Sequence, residues 1–541
     1  FILFFSLKRL PSRKQDIALE VQELLKLYAA HPQVTALDTL LKNDTSRNIF
    51  LKGLNGSGPA MTIASLFTKG RGSYVCVLND QEEAGYFYHD LMQLTASNEV
   101  YFFPSAYRRA IKYGHVDPAN EILRTEVLSR LQDPDASFVI VTYPDALAER
   151  VVAREVLKEN TLKISVGEKL DNMFVSDVLD EYGFEQVDYV YEPGQYALRG
   201  SILDVFSFSN EFPYRIDFFG DEVETIRTFD VETQLSKEKL DSIYIVPEMS
   251  KNAKDSTSLL GSLPRNTCIA ARDLAWCKER IGSVWNDDPV VADEESFADI
   301  DQMRKKLVRG EDFLREVLDF RRIHFGARPM GTADATIHFS TQTQPIYHKN
   351  FDRVSESFHK YLDEGYTLYI LSDQEKQANR IRMIFEDRGD NIPFTAVNRT
   401  IHEGFADDTL RICFFTDHQL FDRFHKFNLK SDKARSGKIT LSLKELNQFS
   451  QGDYIVHIDH GVGQFGGLVR TEVNGKMQEA IKLIYQNNDI IFVSIHSLHK
   501  LSKYKGKESG EPPKLSKLGT GAWEKMKERT KAKVKDIARD L

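Results

Sequence analysis

The chain is short of cysteine. Its 541 residues hold four. Cys76, Cys268, Cys277 and Cys413 lie far apart, with no Cys-x-x-Cys pair to read as a disulfide or metal framework. The apolar surroundings of Cys76 and Cys413 read instead as buried thiols in a reducing compartment. Long apolar runs are missing as well. The opening Phe1-Ile2-Leu3-Phe4-Phe5 has no basic region before it and no small-residue cleavage site after it. It is too short for a signal peptide or a membrane span, so the expected location is the cytoplasm, with no membrane partner. A hydrophobic fraction of 41% and a charged fraction of 28% are those of a soluble globular chain. The length predicts about three to five domains.

A second absence is chemical. Gly53-Leu54-Asn55-Gly56-Ser57-Gly58-Pro59-Ala60-Met61 follows an apolar strand (Ile49, Phe50, Leu51) and leads into a helical run. That is the setting of a GxxxxGK[ST] phosphate cradle. A working cradle needs a lysine on the terminal phosphates and a hydroxyl on the magnesium ion. Here Pro59 stands in the lysine position and Ala60 in the hydroxyl position, and proline removes a backbone donor besides. Gly53 and Gly58 keep the loop's outline. The other reading is a plain glycine-rich turn, and on either reading the segment does not hydrolyse ATP. No acidic pair follows Val139-Ile140-Val141-Thr142, where Tyr143-Pro144-Asp145 stands instead. The resemblance of Val290-Val291-Ala292-Asp293-Glu294-Glu295 to a magnesium-binding strand end reads as an acidic surface segment.

Charge is uneven. From Lys500 to Leu541 thirteen Lys/Arg face six Asp/Glu, a net of +7, so the other 499 residues carry −9 − 7 = −16. An acidic body argues against coating nucleic acid, and the basic tail reads as a solvated helix face.

Residues 1–160 alternate strand and helix: apolar runs at Tyr74–Leu78, Glu99–Phe103 and Phe138–Thr142 enclose helical stretches at Gln81–Leu94 and Asn120–Leu131. This predicts an α/β doubly wound domain. Over 161–247 the period shifts to strand, with Ser201–Phe208, Tyr214–Phe219 and Glu222–Phe229 as a β-meander and Gly220-Asp221 as a tight turn. Alternation puts Arg215, Asp217 and Phe219 on one face, with an aromatic ring beside a guanidinium, and Tyr214, Ile216 and Phe218 on the core face. Such a pair is either an interface anchor or a locally stacked, covered pair. Residues 248–338 complete the first domain. Residues 339–430 read as a further α/β unit without a catalytic constellation, and 431–446 as a linker.

Five or so short strands in 447–519 predict a small SH3/Tudor-like barrel, with Asn474-Gly475 as a hairpin turn. The pairs His457/His460 and His496/His499 lack cysteine and suit no common zinc site, so no metal is expected and the histidines read as hydrogen-bonded structural groups. Leu468-Val469-Arg470-Thr471-Glu472-Val473 reads as an edge strand able to pair with another protein's sheet. Residues 520–541 form a charged amphipathic helix from Trp523, cut in mid-pattern.

Two long motifs carry a resemblance. They are Gly194-Gln195-Tyr196-Ala197-Leu198-Arg199-Gly200-Ser201-Ile202-Leu203-Asp204-Val205-Phe206, continued by Pro213-Tyr214-Arg215-Ile216-Asp217-Phe218-Phe219-Gly220-Asp221-Glu222, and His457-Ile458-Asp459-His460-Gly461-Val462-Gly463, continued by Ser497-Leu498-His499 and Leu518-Gly519…Trp523. Together these pieces resemble the part of the bacterial transcription-repair coupling factor family (Mfd) that precedes its motor. The resemblance implies a UvrB-like module over 1–338 that has lost nucleotide binding. It implies that the meander recruits UvrA, with Arg199, Arg215 and Phe219 as contacts. UvrB's tyrosine-rich damage-probing hairpin would fall near Phe103–Val116, where this chain has only Ser105-Ala106-Tyr107-Arg108-Arg109, too little for lesion sensing. The barrel would be a CarD-like domain docking on the RNA polymerase β subunit by strand pairing, with Thr471 where the family tends to carry an apolar residue. The helix from Trp523 would lead to a RecG-type translocase. ATP, magnesium and most DNA contact would then belong to that motor, and this chain would be a monomeric, non-enzymatic adaptor. The rival readings are a UvrB-like ATP-dependent helicase piece and a CarD-like regulator acting through the barrel alone.

Overall fold

The computed structural model describes residues 20–530 except 44–45, 71, 98, 107–117, 134, 160, 209, 211, 232–233, 247–255, 287–303, 346, 424–426, 428–449, 474–475, 495–500 and 505–512. The acidic segment at 290–295, the linker at 431–446, the Asn474-Gly475 turn, His496, His499 and the helix beyond 530 lie outside the described residues. So does most of the stretch aligned with the damage-probing hairpin.

The chain is a mixed α/β protein with several sheets, divided into two compact units: residues 1–160 with 249–429, and 161–248 with 430–541. In the first unit seven parallel strands form one sheet, in the order Ala335–His338, Asn48–Lys52, Arg321–His324, Cys268–Ala271, Tyr74–Val77, Val139–Thr142, Val100–Phe102. Its central strands are buried on both faces, as in Tyr74–Val77, Val139–Thr142 and Cys268–Ala271. Helices covering both sides of a parallel sheet leave such strands no solvated face, hence their unbroken apolar sequences. The stretch 249–338, where the sequence shows little period, supplies three of these seven strands.

A second sheet in the same unit runs Thr341–Thr343, Phe405–Asp407, Ile412–Thr416, Thr367–Leu371, Thr395–Val397. It closes over its own core of Phe358, Leu368, Ile370, Ile381, Phe385 and Phe415. The N-terminal helices Val21–Ala29 and Pro32–Lys42 reach it through buried groups. Asp407 accepts from Tyr28 Oη at 3.4 Å and lies 3.1 Å from His31 Nε2.

In the second unit, residues 161–248 build a six-stranded sheet in the order Ser236–Leu240, Glu222–Phe229, Tyr214–Phe219, Ile202–Val205, Gln195–Arg199, Glu185–Gln186. One face packs Tyr196, Leu203, Val205, Tyr214, Ile216, Phe218 and Ile226 against helix Asn172–Glu181 (through Val175 and Leu179) and strands Leu162–Ser165 and Ser242–Ile245. The strand Gln195–Arg199, absent from the sequence reading, sits between the Ile202–Val205 strand and the edge.

Residues 454–503 form a five-stranded antiparallel sheet in the order Ile490–Ser494, Lys476–Ile484, Gly461–Val473, Tyr454–His457, Leu501–Lys503. Its core is Ile455, Phe465, Ile481, Leu483, Tyr485, Val493 and Leu501. The following helical residues 522–530 are tied back by Trp523 Nε1 and Lys527 Nζ, both donating to the Ile458 carbonyl at 2.9 and 3.0 Å.

All four cysteines are buried and unbridged, and burial pushes the thiols of Cys76, Cys268 and Cys413 up. Among the described residues no helix is long and apolar enough to cross a membrane.

Candidate interaction surfaces

On the outer face of the six-stranded sheet, one carboxylate organises the site. Asp204 is 1% exposed and stands directly across from Arg215 on the next strand. Arg215 donates to it through Nε at 2.6 Å and Nη2 at 2.8 Å. Arg199 Nη2 reaches the same carboxylate at 2.5 Å and donates through Nη1 to the Asp188 carbonyl at 2.8 Å. Two guanidinium groups therefore converge on one buried anion, a charge-assisted arrangement that fixes both forks. Beside it, Asp217 pairs with Arg227 at 2.7 Å and accepts from Thr225 Oγ1 at 2.8 Å.

The three residues singled out by sequence differ in what they offer. Burial alternates through Tyr214–Phe219, which puts Arg215, Asp217 and Phe219 on the outward side. Arg215 has only 14% of its side chain exposed. Its Nη2 also donates to Gln234 Oε1 at 3.0 Å. The aromatic ring beside its guanidinium is buried Phe229, 4.2 Å away, rather than Phe219. Arg199, 34% exposed, lies over the Tyr189 ring at 4.9 Å. Phe219 is 78% exposed at the end of the hairpin whose turn uses Gly220 at φ +66°. Of the three, Phe219 is the exposed apolar side chain, and Arg199 is the more accessible of two arginines held in place by Asp204. Asp204 carries one signal in the sequence: it is an aspartate inside a strand, where that residue is depleted.

The C-terminal sheet has an open edge. Along Leu468–Val473 the strand Gly461–Val473 pairs with Lys476–Ile484 on one side. Its pairing with Tyr454–His457 on the other side is confined to Gly461–Gln464. The register shifts between Phe465 and Leu468, where Gly467 takes φ +98°. That bulge lets the strand leave its second neighbour and run on with one row of backbone groups unpaired by any described strand. Leu468, at the start of that segment, is 46% exposed. His457, on the neighbouring strand, is buried and accepts from the Asp459 amide through Nδ1 at 3.0 Å, a local structural use.

The glycine-rich loop lies between strand Asn48–Lys52 and helix Gly58–Gly70, with Pro59 and Ala60 buried in the first turn. Three of its amide donors are engaged by the chain itself. Asn55 N–H donates to Thr341 Oγ1 at 2.8 Å, Ser57 N–H to the Glu403 carbonyl at 3.0 Å, and Gly58 N–H to the Asn55 carbonyl at 3.0 Å. The Glu403 amide in turn donates to Ser57 Oγ at 3.0 Å. A Cβ at Gly56 would meet the Gly404 carbonyl at 2.9 Å, and Phe405 lies against Gly58. The segment 403–405 of the second sheet's domain thus lies over the glycine-rich loop. Asp145, at the end of the Val139–Thr142 strand, is taken up by Arg280 Nη2 at 2.6 Å. At the described start of the hairpin-aligned stretch, Arg124 lies over the Phe103 ring and pairs with buried Glu149 at 3.0 Å.

Comparison with known proteins bears on two of these surfaces. Residues 162–250 match the family model described as UvrB interaction domain, and residues 449–505 match that described as CarD-like/TRCF RID domain. The first match spans the sheet carrying Asp204 and Phe219, and the second the open-edged sheet. Transcription-repair-coupling factors of Staphylococcus aureus (strain bovine RF122 / ET3-1) and Bacillus subtilis (strain 168) are each 24% identical, over 94% and 91% of this chain. Over most of its length the chain is thus similar to transcription-repair-coupling factors. It spans about half the length of these relatives, 50% and 48% respectively. The two matched segments lie in separate sheets, one exposing Phe219 and the other Leu468.

Proposed function

We propose that this chain acts as the adaptor part of a transcription-repair coupling factor, holding RNA polymerase at one surface and the excision-repair protein UvrA at another. The observation that carries the reading is the presence in one chain of a UvrB interaction domain and a CarD-like/TRCF RID domain. At the first, Phe219 inserts its ring into the partner while Arg199 and Arg215, pre-positioned by Asp204, supply the polar rim; exposed aromatics flanked by arginines are the usual energetic centre of an interface. At the second, Leu468–Val473 adds the polymerase β subunit's strand to its open edge by backbone hydrogen bonds. The Gly53–Met61 loop is a structural remnant that takes no ATP, since Pro59 and Ala60 supply neither cation nor hydroxyl and the amides of Asn55, Ser57 and Gly58 are already used. The chain acts as a cytoplasmic monomer, and ATP-driven DNA tracking is the work of the motor its resemblance implies. Binding of the chain to purified UvrA and to purified β subunit, each alone, tests this: saturable binding to both is expected, and failure to bind either one overturns the adaptor reading.

A further inference from the structure

Two further large apolar side chains stand in solvent at the end of the domain that carries Phe219. Met173 is 67% exposed and Phe174 53% exposed, on consecutive positions of the first turn of helix Asn172–Glu181. That helix buries Val175 and Leu179 against the sheet, so neither Met173 nor Phe174 contributes to the domain's own core.

The backbone ties this turn to both hairpin ends. The Leu170 amide donates to the Asp221 carbonyl at 2.8 Å, and Lys169 bridges Glu222, the residue paired with Phe219. Asn172 Nδ2 donates to the Gly200 carbonyl at 3.2 Å, and the Phe218 amide to the Ser201 carbonyl at 2.8 Å. Arg199 precedes the Gly200-Ser201 turn and Phe219 precedes the Gly220-Asp221 turn. Met173, Phe174, Phe219 and Arg199 therefore occupy one end of the domain, held there by fixed backbone contacts.

Solvent-facing large apolar residues grouped in this way mark contact surfaces. We infer that Met173 and Phe174 extend the Phe219 surface into a three-residue apolar ridge, and that the ridge as a whole seats in an apolar groove of the same repair protein. This rests on the proposed function for the identity of the partner. The rigid attachment of the helix to both turns means that the ridge meets its partner with little ordering cost.

The test uses the whole chain and purified UvrA in calorimetric titrations, with four variants. Met173→Ser with Phe174→Ser is expected to weaken binding at least tenfold, and Phe219→Ala likewise. Leu235→Ser is the control, since Leu235 is equally exposed at 68% but lies by the far turn, where the Asp230 amide donates to its carbonyl. It is expected to bind as the unaltered chain. Phe174→Leu, which keeps apolar bulk, should recover most of the affinity. Unchanged binding by the Met173/Phe174 variant alongside weakened binding by Phe219→Ala overturns the ridge and leaves the partner reading intact. Unchanged binding by both overturns the two together. Equal loss in the Leu235 control also overturns the ridge, because the effect then follows from removing any exposed apolar side chain rather than from its place.

Discussion

Removal of the Asp204 carboxylate is the sharpest perturbation of the six-stranded sheet over 185–240. Asp204→Ala leaves Arg215, 14% exposed, without the two hydrogen bonds it makes to that group, and Arg199 without one. Breaking a buried ion pair by deleting one partner costs about 3–5 kcal/mol, because the surviving charge is stranded. The low end applies here. Arg215 keeps Gln234 Oε1 and the Phe229 ring, and Arg199 is a third exposed, so water screens its loss. The expected destabilisation is therefore about 3 kcal/mol, which in a domain of this size lowers the midpoint by more than about 10 °C. Thermal unfolding of the chain, followed by calorimetry, reads this directly. A double-mutant cycle with Arg215→Ala should return a coupling of about 1–3 kcal/mol, since the two side chains act as one unit. A loss below about 1 kcal/mol in Asp204→Ala, or a coupling near zero, would refute the view that this carboxylate anchors the face.

Four other outcomes are expected. Successive N–H groups of a strand point to opposite edges, so of Arg470→Pro and Thr471→Pro one deletes a donor on the open edge; that variant should lose the β subunit in a pull-down yet keep UvrA, and retention by both contradicts strand pairing. Gly56→Ala, at φ +53° and with the Gly404 carbonyl 2.9 Å from the new Cβ, should cost at least about 1–2 kcal/mol in urea unfolding. Burial pushes the Asp90 carboxyl up to about 7, against the Ser57 side chain and the His402 amide that favour its charged form. A raised folded value means that its contribution to stability is full below the unfolded range near 4 and is lost as pH rises to about 7. Asp90→Asn should therefore gain on the unaltered chain between those limits, and parallel pH–stability curves would count against it. A fluorescent ATP analogue should show no saturable binding, and micromolar affinity would contradict the account of Gly53–Met61.

The parts of the fold that followed from sequence are those governed by local period. Buried parallel strands such as Tyr74–Val77 announce themselves as continuous apolar runs, and Tyr214–Phe219 by its alternation. Its face assignment located Phe219 in solvent, because alternation reports direction. It could not foresee that Arg215 is spent on Asp204 and Phe229, since those partners come from other strands. The cover over the glycine-rich loop was equally hidden. Ser57 and Glu403 are 346 positions apart, a separation no periodicity encodes. The three strands drawn from 249–338 carry little signal because four-residue stretches such as Arg321–His324, with one aliphatic side chain among two arginines and a histidine, are too brief and too polar to read as strand by pattern.

The adaptor account stands or falls on simultaneous capture. Size-exclusion chromatography with light scattering, on the chain mixed with UvrA and the polymerase β subunit, should yield a complex of all three that loses only UvrA when Phe219 becomes alanine. Mutually exclusive binding, or a complex indifferent to Phe219, would contradict it.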